Sequence, residues 1–356
     1  MTTDASDIVK TRGGDHLIAR RIGRAGRITM NNPKALNALT YDMSLGLEDA
    51  MDAWRHDPAV DLIVIDAAGD RAFGAGGDVK ELYSRGKAGD SAYARTFFGD
   101  EYRMNAALST YAKPVVTMVD GIVMGGGVGV SGHGSHRVVS EKTVLAMPEC
   151  AIGLVPDVGG TWLLGRGPGR VGDWLGLTGA RIGAADAITA GFADSFVLSA
   201  DFPALIAALE ETGDVAAIAA VAGTPEPGII PGLRADIDRC FAGIDPVVIV
   251  ARLEAEDADW ARAAAKAIAR SCPLSVWCSL ELLDRARRAT DIREALMHEF
   301  RFSARCTDEG EFLEGVRAQL VDKDRNPQWA APRLTDITPD KVASMLAPLP
   351  GGDLSL

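Results

Sequence analysis

Val115-Val116-Thr117-Met118-Val119-Asp120-Gly121-Ile122-Val123-Met124-Gly125-Gly126-Gly127 runs from a β-branched apolar segment into three consecutive glycines. A short β-branched run bounded by turn residues is a strand signal. A strand that ends in bare glycines lets a ligand approach the main chain with no Cβ in the way, so that N–H groups can point at a developing negative charge. Downstream lies Met147-Pro148-Glu149-Cys150-Ala151-Ile152-Gly153-Leu154-Val155-Pro156-Asp157-Val158-Gly159-Gly160, where two carboxylates sit among apolar residues and glycines. Together the stretches imply an acyl-group site with acid/base equipment.

Working outward, His16 to Met30 reads as a hairpin and Asp61 to Ala67 as a buried strand. Tyr41 to His56 carries Met43, Leu47, Met51 and Trp54 at the spacing of one helix face. Strands separated by helices predict a layered α/β core over residues 1–200. From residue 201 to 356 the pattern is alanine-rich and helix-periodic: Phe202 to Leu209, Asp214 to Val221, Asp245 to Ile268 and Pro273 to Arg288 read as helices, and Thr224-Pro225-Glu226-Pro227-Gly228 as a loop.

Composition bounds the rest. With 47% hydrophobic residues in 356, the chain can bury a full core. A net charge of −12 argues against a nucleic-acid surface and means that a polyanionic ligand must be held by a local basic patch. The cysteines (150, 240, 272, 278, 306) are odd in number and form no Cys-x-x-Cys pair, which suits reduced thiols. The polar, acidic start and the lack of a long apolar run predict a cytoplasmic protein with no membrane partner.

Arg71 to Leu82 is a glycine-rich loop leading into a helix, with Asp78 as its N-cap. Paired with Gly125 to Gly127, it supplies the second half of a two-donor oxyanion hole. Gly127 to Gly132 and Gly167 to Gly172 both match Gly-x-Gly-x-x-Gly, but that motif counts only where a strand opens into a long helix. The first helix would be interrupted by Gly132 and Gly134, and the second match follows no strand. Ser131 lacks the last glycine of a nucleophile elbow. His133 and His136 have no third ligand nearby, so no metal site is expected.

These residues carry a resemblance to the enoyl-CoA hydratase/isomerase (crotonase) superfamily over nearly the whole chain. It rests on Asn31 to Leu39, Phe73 to Lys80, Asp120 to Ser131, Met147 to Gly160 and Glu314 to Asp324. The resemblance implies a spiral of repeated ββα units with a helical C-terminal region. It implies an acyl-CoA substrate, CoA being part of that substrate rather than a separate cofactor, and it allows a homo-oligomer. By resemblance the thioester oxygen sits between the N–H groups of Ala75 and Gly126, and Lys34, Ala35, Leu36, Asp78 and Lys80 are candidates for contacting CoA. Hydratases of the superfamily carry a second catalytic glutamate where this chain has Gly129, and usually glycine where it has Asp157. That pattern resembles a thioester-hydrolase branch, which acts on short β-hydroxyacyl-CoA esters such as that of 3-hydroxyisobutyrate in valine breakdown. There Glu149 would attack the thioester carbon or activate water. Asp157 would orient the substrate hydroxyl or the water, and Glu101 matches a carboxylate that contacts substrate. A proton-shuttling isomerase and an acyl-CoA-binding protein without turnover are the competing expectations.

Overall fold

The computed structural model describes residues 7–356. Seven strands form one sheet: β1 (Ile8–Val9), β2 (Leu17–Ile22), β3 (Ala25–Met30), β4 (Leu62–Ala67), β6 (Val115–Val119), β8 (His136–Val139) and β10 (Ser195–Phe196), adjacent in that order. Three shorter strands form a second sheet: β5 (Ala72–Ala75), β7 (Ile122–Met124) and β9 (Val144–Ala146). The predicted hairpin is β2 and β3, antiparallel from Leu17 opposite Met30 to Ile22 opposite Ala25. From β3 onward the large sheet is parallel.

The chain gives one strand to the large sheet, the next to the small sheet, and then turns into helix. It does so in β4–β5, β6–β7 and β8–β9, which is the expected ββα spiral. Period-two alternation explains why both sheet faces are dry. Leu62, Val64, Val116, Met118 and Val138 point to one face, where Phe202, Leu205, Ile206 and Leu209 of the helix Phe202–Thr212 cover them. The predicted helix face of Met43, Leu47, Met51 and Trp54 is buried in Tyr41–Trp54, which Thr40 caps by accepting the Met43 N–H at 3.2 Å. Gly26 is needed here, since a Cβ would stand 2.4 Å from the Trp54 ring.

Two compact units emerge, and they interleave along the chain. One comprises the chain up to Gly77, Arg103–Leu145 and Ile182–Gly228; the other comprises Asp78–Tyr102, Ala146–Arg181 and Ile229–Leu356. The second unit therefore includes segments that precede residue 200, and the first includes the helix Phe202–Thr212. After β10 no strand occurs among the described residues. The helical stretch expected from Asp245 to Ile268 is two helices, Pro246–Ala255 and Asp259–Arg270. Glu256-Asp257-Ala258 separates them, because acidic side chains oppose the dipole at a helix C-terminus and Asp favours caps over interiors.

Candidate functional site

The first unit holds the Asn31 to Leu39 turn and the two glycine-rich main-chain segments. Asn31 to Leu39 forms a single turn at Pro33–Ala35, followed by two non-glycine residues in the left-handed region, Leu36 (φ 55°) and Asn37 (φ 52°). Asn37 is the fastener. Its Nδ2 donates to the carbonyls of Ala68 and Ala72, both at 2.9 Å, and its Oδ1 accepts from the Asn32 N–H at 2.8 Å. Lys34 and Ala35 are exposed and Leu36 half-buried on this tied-down turn.

The glycine-rich loop corrects one expectation. The Ala75 N–H, assigned by resemblance to the oxyanion hole, donates to the Leu36 carbonyl at 3.0 Å and is already committed. Two residues on, the Gly77 N–H makes no hydrogen bond to any described residue, and Gly76 reaches φ 110° to turn the chain there. Gly126 is the first residue of the helix Gly126–Ser131, where an N–H has no intrahelical acceptor. Gly127 allows the helix to approach the loop, since a Cβ on it would lie 2.2 Å from the Gly74 carbonyl oxygen. The helix stops at Gly132 after six residues, too short for the dinucleotide motif its glycines imitate. At Gly129 the carbonyl accepts from Asn105 Nδ2 at 3.0 Å, and no side chain is present to handle a proton.

The second unit holds a set of buried carboxylates. Glu149 opens the short turn Glu149–Ile152, is 5% exposed, and leaves Oε2 without a partner. Burial, then the charges of Asp157 and Glu299, push its carboxyl well above the ordinary range. Glu101, 3% exposed on the helix Ser91–Ser109, also has an unpartnered oxygen, and burial followed by the Asp157 charge raises it. Asp157 is pushed up to about 7 by burial, against the pull of the Tyr102 hydroxyl, which donates to its Oδ2 at 2.8 Å. Ser303 Oγ lies 2.7 Å from the same hydroxyl. Carboxylates that shed their charge in this way, with oxygens left free for a ligand, are suited to moving protons near neutral pH.

Asp157 owes its direction to an unusual loop. Val158 is β-branched and yet lies at φ 55°, with Gly159 at 76°. Such a conformation costs about 1–3 kcal/mol and persists only where neighbours over-determine it. Asp78, the expected cap, accepts from the Lys80 N–H at 3.3 Å at the start of Val79–Lys87, and Lys80 is exposed.

Tyr102, Glu299, Ser303 and Asn37 were not singled out from the sequence. For Glu299 a signal existed: Ile292, Ala295, Leu296, Glu299 and Ser303 repeat at helical spacing and are all buried in Ile292–Ser303, so an acid lies on an apolar stripe. Asn37 and Tyr102 give no such sign, because their roles depend on partners far along the chain.

The family model for enoyl-CoA hydratase/isomerase matches residues 25–346. The mitochondrial 3-hydroxyisobutyryl-CoA hydrolase of Danio rerio is 36% identical, over 98% of this chain and 94% of that protein. A crystal structure of an enoyl-CoA hydratase from Rhodobacter sphaeroides 2.4.1 is 51% identical with a TM-score of 0.93, covering 96% of this chain and all of that one. One of a carnitinyl-CoA dehydratase from Mycobacterium thermoresistibile is 40% identical with a TM-score of 0.91, covering 95% and 98%. Matched over most of its length by the family model, and over nearly all of it by these relatives, the chain belongs to the enoyl-CoA hydratase/isomerase family.

Proposed function

We propose that this protein hydrolyses 3-hydroxyisobutyryl-CoA to 3-hydroxyisobutyrate and CoA. The observation that carries the reading is the carboxylate set: Glu149, Asp157 and Glu101 are buried together in one unit, while position 129, where a hydratase needs its second acid, is glycine. Adding water across a double bond needs two proton handlers, whereas opening a thioester needs one carboxylate and a stabilised oxyanion. The hydrolase name of the Danio rerio relative supports the same reading.

In this account Glu149 is the catalytic carboxylate. Acting as base, it takes a proton from water as the oxygen bonds to the thioester carbon. Acting as nucleophile, it forms a mixed anhydride that water then opens. Either route breaks the carbon–sulfur bond and releases the thiolate of CoA, which takes up a proton. The N–H groups of Gly77 and Gly126 are the oxyanion donors, each worth roughly 2.7–4 kcal/mol of transition-state stabilisation. Asp157 takes the β-hydroxyl and Glu101 contacts the acyl group. Lys34, Ala35, Leu36, Asp78 and Lys80 serve the CoA moiety, a local basic contribution in an acidic protein.

In our reading the protein works without a cofactor beyond the CoA of its substrate, in a reducing compartment. That compartment is the cytoplasm in our reading, although the Danio rerio relative is named mitochondrial. Among the described residues all five cysteines are free and buried, and no helix is long and apolar enough to cross a membrane.

The hydratase title of the Rhodobacter sphaeroides structure favours a second reading, loss or addition of water. Mass analysis of the products from 3-hydroxyisobutyryl-CoA separates the two. Free acid and CoA support hydrolysis; accumulation of the unsaturated thioester supports the hydratase reading and contradicts ours.

A further inference from the structure

We infer that Glu299 is a positioning residue that sets the protein's selectivity for a β-hydroxylated acyl group, by locking the Asp157 loop in its strained conformation. The inference rests on the proposed role of Asp157 in taking the substrate hydroxyl.

The side chain of Glu299 is fully buried, on the helix Ile292–Ser303, far along the chain from the loop it holds. Its Oε2 accepts from the Gly159 N–H at 2.8 Å. Its Oε1 accepts from the Thr161 N–H at 3.0 Å and from the Thr161 hydroxyl. One carboxylate thus grips the chain on the C-terminal side of Val158 at two residues, 159 and 161, while the Gly160 N–H closes the turn onto the Asp157 carbonyl at 2.6 Å. These bonds are what hold a β-branched residue at φ 55°.

The same helix reaches Asp157 by another route, since Ser303, one turn after Glu299, meets the Tyr102 hydroxyl that donates to Asp157. Both the backbone direction and the side-chain direction of Asp157 therefore refer to one helix. Burial pushes Glu299 up to about 8 while Thr161 and Gly159 pull it down, so its charge depends on those donors staying in place.

A relaxed Val158 would re-aim Asp157 without touching the thioester carbon. A substrate that carries the β-hydroxyl should then suffer more than one that lacks it. Misplacement of a positioned group by about 1 Å can cost on the order of a hundredfold in rate.

The test compares the full chain with its Glu299→Gln, Thr161→Val and Thr161→Ser variants on (S)-3-hydroxyisobutyryl-CoA and on isobutyryl-CoA, after circular dichroism has shown that each is folded. Glu299→Gln and Thr161→Val should lower the ratio of kcat/KM for the hydroxylated thioester to that for isobutyryl-CoA by about ten- to a hundredfold, and Thr161→Ser should keep the wild-type preference. In an Asp157→Asn background, Glu299→Gln should add no more than about a twofold loss, because residues that act as one unit are not additive. Should Glu299→Gln fail to fold, Thr161→Val with its Thr161→Ser rescue decides. Glu299→Gln or Thr161→Val variants that keep the preference, that lose both substrates in equal proportion, or that add fully to Asp157→Asn overturn the inference while leaving the hydrolase reading intact. A wild-type protein that releases no CoA overturns that reading, and this one with it.

Discussion

At the scale of single residues, the protein concentrates in one unit four carboxyl groups that water would ordinarily keep ionised. Burial raises Glu101, Glu149, Asp157 and Glu299 alike. A base must be deprotonated to act, so a raised carboxyl moves the ascending limb of the pH–rate curve upward. With Glu149 raised by burial and by the Asp157 charge, kcat/KM should still be climbing above pH 5, where an ordinary carboxylate would already have levelled off. A steady-state profile from pH 5 to 9 checks this. The same shift has a consequence for stability. Between the unfolded carboxyl value and the raised folded one, the folded state holds a proton that the unfolded state releases, so stability is fully present at low pH and falls as pH rises. Glu101→Gln removes that titration. It should raise the melting temperature above wild type at pH 8, with the gain shrinking towards pH 5, and it should lower turnover; a melting series across that range tests the sign. No gain at pH 8 would mean that Glu101 is not held against its charge.

At the scale of elements, the strand-to-glycine step was the most legible feature of the chain. Val115 to Val119 is a strand, and Gly125 to Gly127 become the entry to a helix, with the Gly74 backbone too close to Gly127 for a Cβ there. Gly127→Ala places a methyl 2.2 Å from the Gly74 carbonyl oxygen, and overpacking of this kind costs about 1–3 kcal/mol. We expect a lower unfolding midpoint in urea together with a large loss of turnover, since the loop that must move carries the Gly77 amide. Unchanged turnover would contradict the placement of the oxyanion donors. Glu149 and Asp157 stood out from the sequence because they interrupt apolar, glycine-rich runs. The occupied Ala75 amide did not, because motif spacing carries no record of which N–H a neighbouring carbonyl has taken. Nor did the clamp on Val158, since a left-handed β-branched residue is dictated by Glu299 from a distant helix rather than by local propensity.

At the scale of the whole molecule, the layered α/β class followed from the alternation of β-rich and helical stretches, whereas the division into units did not. Chain order suggested a break near residue 200, but Asp78–Tyr102 and Ala146–Arg181 belong with Ile229–Leu356. Their apolar faces find partners across long loops, and composition does not mark such pairing. Glu101, Glu149, Asp157 and Glu299 all lie in that discontinuous unit. In our proposal a chain with these carboxylates and with Gly129 opens thioesters. This is tested most directly by the rate of CoA thiol release from (S)-3-hydroxyisobutyryl-CoA, followed with a chromogenic disulfide, for wild type beside Glu149→Gln. The buried cysteines, with Cys150 pushed up to about 12, keep the folded protein's own thiols silent in the assay. Wild type should release CoA rapidly and the variant at least about a thousandfold more slowly, as for removal of a group on which the chemical step depends. Equal rates in the two proteins, or no release by wild type under conditions where it binds the thioester, would contradict the proposal.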